Sequence, residues 1–294
     1  MMRRAYFKTS WIAALLLAPQ LLIIFVFFYW PSAQAVYWAF TLEQPWGGGN
    51  TWVGFDNFRN ILSDPYYWSS VRVSLIYAVA ATALAMGMSL ILAMFVDRQL
   101  AGYKAYRVAL IWPYAIAAPA VGLAFRFIFN PNAGIFSYVN TVIPGLWDPT
   151  QIGWQAVVTI ILAGAWKHVA YSFIFFLAAL QSIPRSLTEA AAMDGARPLR
   201  RMVDLQLPLL TPTVFFLFVI NITDSFTDSF GIVDTLTGGG PFRATDLMVY
   251  KIYSDGFRGF DYSGAAAQSI ILMVLVMALT FVQFRYVERR VHYT

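Results

Sequence analysis

The chain has 294 residues, of which 59% are hydrophobic and only 12% are charged, about half the charged fraction of an ordinary soluble domain. It contains no cysteine, which excludes disulfides and thiolate metal sites. The net charge of +5 is spread over short segments between apolar runs and forms no single basic patch, which argues against nucleic acid as a partner. The composition therefore predicts an integral membrane protein.

Six apolar runs are long enough to cross a bilayer core, which needs roughly 20 helical residues. The runs are continuous and lack the two-residue period of a membrane β-barrel, so they predict an all-α bundle. Two prolines lie inside the third run, where neighbouring helices can satisfy the freed carbonyl groups. The predicted spans are residues 11–30, 71–96, 105–129, 154–180, 209–232 and 264–284.

The first run could alternatively be a secretory signal peptide, because basic residues precede it. A signal core usually has about 7 to 15 apolar residues, however, and this run is near 20. We therefore expect a retained first span. The spans divide the sequence into an N-terminal span with its outer segment (1–70), a transmembrane core (71–284) and a short tail (285–294).

The distribution of basic residues predicts the orientation of the bundle, because cytoplasmic loops are enriched in lysine and arginine. Thirteen of the 20 lysines and arginines fall on one side, which places both termini and the segment between spans four and five in the cytoplasm. The outer loops, about 41–70 and 233–263, are expected to form interfacial loops or short surface helices. The thirteen are Arg3, Arg4, Lys8, Arg98, Lys104, Arg107, Arg185, Arg197, Arg200, Arg201, Arg285, Arg289 and Arg290.

The segment between spans four and five, SLTEAAAMDGARPLRRMVDLQLPLLTPT, is unusual for so apolar a chain. Ser186 followed by Glu189 fits a capping box, Gly195 fits the left-handed turn that ends a helix, and Pro198 fits the first turn of a second helix. An ordinary return loop whose arginines only set topology would need few residues. Two short helices with small side chains instead favour a docking element for a cytoplasmic partner.

The order Glu-Ala-Ala, Asp-Gly-Ala and Leu-Gln-Leu-Pro in this segment resembles the EAA loop of binding-protein-dependent ABC importer permeases. In that family the loop, here about 186–208, forms coupling helices that sit in a groove of the ATP-hydrolysing subunit. Met202 stands where the family commonly has Phe, and its flexible side chain can fill the same socket. The resemblance assigns ATPase coupling to Glu189, Ala190, Ala191, Asp194, Gly195, Ala196, Met202, Leu207 and Pro208.

Further landmarks of the sugar-type members follow in the same order, namely WVGFDNFRNILSDP, FNPNAG, LAALQSIP and LTGGGP. The stretch WKHVAYSFIFFLAALQSIP and the tail YKIYSDGFRGFDYSGAAAQS are closer to members that carry sn-glycerol-3-phosphate or glycerophosphodiesters. Permeases for neutral sugars or polyols share much of this pattern, so that alternative stays open.

Membership in the family implies a multi-pass subunit of a bacterial inner membrane. It also implies a second homologous permease, an ABC ATPase dimer that holds ATP and magnesium, and an extracytoplasmic substrate-binding protein. No cofactor is expected on this chain itself.

Ionisable groups inside a span are costly, at about 2.5–3.5 kcal/mol each, and so indicate a cavity or a partner. Two interpretations remain open. The polar groups of spans four and five could line the substrate path, with Lys167 attracting an anionic phosphate ester. Alternatively, an ion pair such as Lys167 with Asp224 could simply link two helices. The candidate path residues are Lys167, His168, Tyr171, Asn221, Asp224 and Asp228.

Catalysis is not predicted, because no Walker phosphate loop, zinc-type histidine spacing or nucleophile–base set occurs in the sequence. The only histidines, His168 and His292, are too far apart to suggest a metal site. A secondary transporter remains the main rival from another class, and it would be expected to show inverted repeats with helices broken in mid-membrane. We detect no such repeat.

Overall fold

The computed structural model describes residues 10–43, 48–97 and 103–287. Helices dominate the described residues, with turns and one small hairpin between them, which agrees with the predicted all-α class. Several of the basic residues used to predict orientation, including Arg3, Arg98 and Arg289, lie outside the described residues.

Four helices are long and apolar enough to cross a bilayer, and the number reaches six if each of two bent helix pairs forms one span. These counts refer to the described ranges only. The four are Ala13–Ala39, Pro65–Asp97, Gly153–Ser182 and Tyr262–Arg285.

The first compact unit comprises Met1–Ser63 and Ile252–Ile271. It holds the hairpin, whose strands the sequence did not predict, and a short helix in the connection for which short helices were expected. The Asn57 amide donates to the carbonyl oxygens of Ala39 and Thr41 at 2.9 and 3.0 Å and so ties this helix to the hairpin. The elements are α1 (Ser10–Ile24), a π-helical turn (Phe25–Tyr29), α2 (Trp30–Ala39), β1 (Thr41–Glu43), β2 (Asn50–Trp52) and α3 (Asp56–Ser63).

The second compact unit comprises Asp64–Lys251 and Leu272–Thr294. It contains most of the predicted transmembrane core, while the predicted boundaries at 70 and 285 stay a prediction. Its helices up to the end of the fourth candidate span are α4 (Pro65–Asp97), α5 (Tyr103–Ile111), a 3-10 turn (Trp112–Ala115), α6 (Ala118–Ile128), α7 (Ile135–Val142) and α8 (Gly153–Ser182).

A segment of two short helices follows, and then the predicted fifth span (209–232) and the C-terminal helices. The elements are α9 (Arg185–Met193), α10 (Pro198–Arg201), a π-helical turn (Met202–Gln206), α11 (Leu207–Leu209), α12 (Thr211–Thr227), α13 (Phe230–Leu236), α14 (Met248–Tyr253), a second π-helical turn (Ser254–Arg258), α15 (Tyr262–Val282) and a last π-helical turn (Gln283–Val287). We call residues 185–209 the two-helix segment.

The centre of the second unit is the pairing of α4 with α8. A face of small residues on α4 is fully buried, and Gly164 of α8 lies against the ring and hydroxyl of Tyr77. Small side chains let two membrane helices approach closely, so packing rather than hydrophobicity holds this pair. The face on α4 consists of Ser74, Ala78, Ala81, Ala85 and Ser89.

Two predicted spans are not single helices. The run 105–129 bends by 111° between Val108–Ala115 and Ala118–Ile128, at the extended residues Ile116 and Ala117. The run 209–232 begins with a 70° bend and is interrupted again after Thr227. The third and fifth predicted spans are therefore broken helices, and the apolar segments themselves are where the sequence places them.

Candidate functional site

An open cleft of about 500 Å³ lies where the broken helix pair of residues 105–129 meets α8 and α12. Five of the six predicted path residues lie on its wall. The wall also includes the extended backbone of the break, which the hydropathy pattern did not reveal. The lining residues are Tyr114, Ala115, Ile116, Ala117, Lys167, His168, Tyr171, Ile220, Asp224 and Asp228.

The break that opens this cleft has a local and a long-range cause. Pro119 has no N–H to donate to the carbonyl of the preceding turn, and it lies in the first turn of α6, where proline is well tolerated. The Thr235 hydroxyl of α13 donates to the Pro119 carbonyl at 3.0 Å. A side chain at Gly231 would collide with the Pro119 ring. The bend is thus held by close packing of α6 against α13.

The Lys167 ammonium forms an ion pair across the cleft. Its Nζ donates to Asp228 Oδ2 at 2.5 Å, and the exposed fractions of the two side chains are 15% and 61%. The sequence interpretation of a helix-linking ion pair was therefore right about Lys167 but chose Asp224 as the partner. Asp224 lies one helical turn before Asp228 on the same wall.

Asn221 is separated from the other five path residues. It is fully buried, and its amide donates to Ser172 Oγ at 3.0 Å and to the Leu217 carbonyl at 2.7 Å. This residue joins α12 to α8 and does not line the cleft. Helical spacing alone grouped it with Asp224, because three residues nearly complete one turn.

The sequence reasoning missed Tyr114, which stacks on Tyr171 with the ring centroids 5.8 Å apart. The two rings give the cleft an aromatic wall with hydroxyl groups beside the charged residues. Among the many aromatic residues of the apolar runs, nothing in the sequence distinguishes Tyr114. Only the bend after Ala115 brings it opposite α8.

The two-helix segment contains a well-formed Schellman turn between its helices. Gly195 has φ +77°, its N–H donates to the Ala192 carbonyl, and the Ala196 N–H donates to the Ala191 carbonyl, both at 3.0 Å. This arrangement satisfies the last carbonyls of α9 and favours glycine at the left-handed position. The predicted turn and the predicted Pro198 start of the next helix are confirmed.

The predicted capping box is wrong. Helix α9 begins at Arg185 with Pro184 before it, and no side chain caps its start. Ser186 therefore lies inside the first turn, since the preceding proline already fixes an extended entry to the helix.

Large apolar side chains point away from the two-helix segment. Leu187, Met193, Leu199 and Val203 are between 44% and 88% exposed. Arg201 Nη1 donates to the Thr188 carbonyl at 3.4 Å and connects the two helices. Of the predicted coupling residues, the exposed ones are Glu189, Ala190, Asp194, Gly195 and Pro208, and the half-buried ones are Ala191, Ala196, Met202 and Leu207.

Comparison with known proteins connects the chain to membrane transport. Residues 5–293 match the family described as binding-protein-dependent transport system inner membrane component. The sn-glycerol-3-phosphate transport system permease protein UgpA of Rhizobium meliloti (strain 1021) is 47% identical over 292 residues, covering 99% of this chain and 100% of that protein. The protein of the same name from Brucella abortus biovar 1 (strain 9-941) is also 47% identical, over 293 residues and the full length of both chains.

Solved structures share the fold at lower identity. A chain of a bacterial ABC transporter involved in the import of the acidic polysaccharide alginate has a TM-score of 0.82 and 23% identity, covering 95% of this chain and 96% of that one. The alginate transporter in complex with alginate pentasaccharide-bound periplasmic protein gives a TM-score of 0.81 at 22% identity, covering 95% of each chain.

Proposed function

The chain belongs to the family of binding-protein-dependent transport system inner membrane components, and on that premise we propose that it forms, with a second homologous permease, the membrane path for sn-glycerol-3-phosphate or glycerophosphodiesters. The relatives are named as transport permeases, so the chain is a transport subunit and not an enzyme. The single observation that carries the substrate proposal is full-length identity of 47% to permeases named for sn-glycerol-3-phosphate transport.

We propose that all six apolar segments cross the membrane, the two bent pairs included, with both termini in the cytoplasm. In this arrangement the two-helix segment lies in the cytoplasm, because the basic residues Arg185, Arg197, Arg200 and Arg201 cluster on it. The long outer connections then face the substrate-binding protein. The relative whose structure includes a periplasmic protein supports such a partner.

The two-helix segment is proposed as the docking element for an ABC ATPase dimer, which binds ATP and magnesium. Its large apolar side chains are exposed, as is typical of a surface that binds another protein. The Gly195 turn fixes the angle between α9 and α10, so a force on one helix reaches the other. Movement of the ATPase would thereby be transmitted to α12 through the bend after Leu209.

The cleft at Lys167 is proposed as this chain's part of the substrate path. It combines a cation that suits a phosphate group with two tyrosines that suit hydroxyls. The break at Ile116 and Ala117 opens one wall, as is expected where irregular backbone lines a cavity within a membrane.

The test is ATP-dependent uptake into proteoliposomes that contain this chain, its second permease, the ATPase and the binding protein. We expect accumulation of sn-glycerol-3-phosphate or of glycerophosphocholine and none of maltose or glycerol. Uptake of a neutral sugar instead would refute the substrate proposal. Uptake by the purified chain alone, driven by an ion gradient without ATP, would refute the importer proposal.

A further inference from the structure

The ion pair of the cleft is unequal in depth. Lys167 is 15% exposed, whereas Asp228 is 61% exposed, so the ammonium lies inside the wall and the carboxylate lies at the opening. An anion that enters the cleft from this side therefore competes with the Asp228 carboxylate for the bond to Nζ.

We propose that Asp228 is a displaceable counterion of Lys167, and that the phosphate group of the cargo replaces it on Nζ. The inference rests on the proposed function and assigns a specificity-determining role to Asp228. An uncharged cargo supplies no replacement anion, so separating the pair leaves a largely buried ammonium without its bonded counterion and with only Asp224 on the same wall. The cleft thus admits an anionic cargo and rejects a neutral one of similar size.

The position of Asp228 in the chain makes its displacement feasible. Helix α12 ends at Thr227, and Asp228 follows with its N–H bonded to the Asp224 carbonyl at 2.8 Å. A residue at a helix end can move its side chain without breaking interior turns. Asp224, four residues earlier on the same wall, carries a like charge. Its repulsion of Asp228 favours movement of the Asp228 carboxylate away from Lys167.

The phosphate group is suited to the exchange because it offers several strong acceptor oxygens. One oxygen can accept from Lys167 Nζ while the Tyr114 and Tyr171 hydroxyls, on the same wall, are available to donate to others. These donors offset the repulsion from Asp224. A carboxylate at the end of α12 cannot make these additional contacts.

The experiment measures equilibrium binding of radiolabelled sn-glycerol-3-phosphate to the complete importer in detergent, without binding protein, and compares it with glycerol. For Asp228→Asn we expect about threefold to tenfold tighter ester binding, since the competing carboxylate is gone. Lys167→Met should abolish the preference for the ester over glycerol. The double variant should bind the ester no better than Lys167→Met does.

Asp224→Asn is the matched control, because it removes the same charge one turn away but not the bond to Nζ. It should tighten ester binding less than Asp228→Asn does. Should Asp228→Asn not assemble, Asp228→Ser gives the same measurement.

Unchanged or weaker ester binding by Asp228→Asn would overturn the inference, and so would a double variant that binds as tightly as Asp228→Asn. ATP-driven uptake by the wild-type importer distinguishes failure of the counterion role from failure of the proposed function. If the wild type takes up the ester but Asp228→Asn leaves ester binding unchanged, only the counterion role is refuted. If the wild type takes up no ester, the proposed function and the counterion role are refuted together.

Discussion

The α4–α8 pair and the two-helix segment are both helical, but they distribute their side chains in opposite ways. At the α4–α8 interface small residues of α4 are buried together with the large side chains of Tyr77 and Phe173, and Gly164 meets the ring of Tyr77 directly. On the two-helix segment the large apolar side chains are exposed, and Met193 is 88% exposed.

The difference shows which region buries its apolar surface within the chain and which leaves that surface exposed. The α4–α8 interface satisfies its packing inside the chain, so changes there should alter folding. The two-helix segment leaves its apolar surface uncovered, so changes there should alter assembly with a partner while folding is preserved. Four substitutions test this division.

The largest effect is expected from Gly164→Leu. A leucine side chain at this position would collide with Tyr77, and overpacking of this kind costs about 3 kcal/mol. We expect loss of folded protein, measured as monodisperse yield and as the midpoint of thermal unfolding in detergent. Gly87→Leu is the control, because Gly87 of α4 has no neighbour within 4 Å of an added Cβ. Equal losses in the two variants would contradict the division.

A large effect on assembly alone is expected from Glu189→Lys. Reversing this exposed charge should weaken capture of the ATPase by about 30-fold or more, as for a charged contact at an interface, and stop ATP-driven uptake. The unfolding midpoint should stay unchanged. Asp204→Lys lies on the same segment outside the predicted docking residues, and it should retain capture. A variant at Glu189 that still transports would show that the segment is not the docking element.

A moderate effect is expected for the buried contact between Asn221 and Ser172. Hydrogen bonds between membrane helices contribute about 0.6 kcal/mol on average and about 1.7 at most. A double-mutant cycle with Asn221→Ala and Ser172→Ala should therefore give a coupling energy in this range. The Thr280 hydroxyl donates to the carbonyl of Val276 in its own helix, so a cycle of Ser172→Ala with Thr280→Ala should give none.

The smallest effect is expected for the ion pair of Arg200 with Asp204. Both side chains are more than half exposed, and Arg200 Nε lies 3.1 Å from Asp204 Oδ2 at the helical spacing i,i+4. Such pairs contribute about 0.3–0.5 kcal/mol. A cycle with Arg200→Ala and Asp204→Ala should give no more than this, and raised salt should reduce it further. A larger value would indicate that the segment is stabilised from within.

The sequence predicted well whatever depends on neighbouring residues. The apolar runs, the Gly195 turn and the start of α10 at Pro198 all follow from local chemistry, and the structure places them as expected. Ser186 was misassigned because Pro184 competes for the same helix start. The two candidate N-cap positions differ by two residues, a difference that hydropathy does not encode.

Features that depend on distant contacts were not predicted. The two prolines of the third run indicated tolerance of a kink, but the 111° bend also needs Gly231 and Thr235 more than a hundred residues away. The bend in turn decides that Tyr114 faces Tyr171. Likewise, Asp228, which follows the end of α12 at Thr227, bonds to Lys167, and helical spacing alone did not distinguish it from Asp224.

The extended pair Ile116–Ala117 has a consequence for any cargo that enters the cleft. Pro119 has no N–H to donate to the carbonyl of Ala115, so this main-chain oxygen can accept from a solute in the cleft, whereas the Ala117 carbonyl already accepts from Ala120 and Val121. Contacts made to peptide groups survive every exchange of side chains. A solute rich in hydroxyls would therefore keep part of its binding affinity after alanine scanning of the cleft. Backbone ester replacement at 115–119 would be needed to remove this remaining affinity.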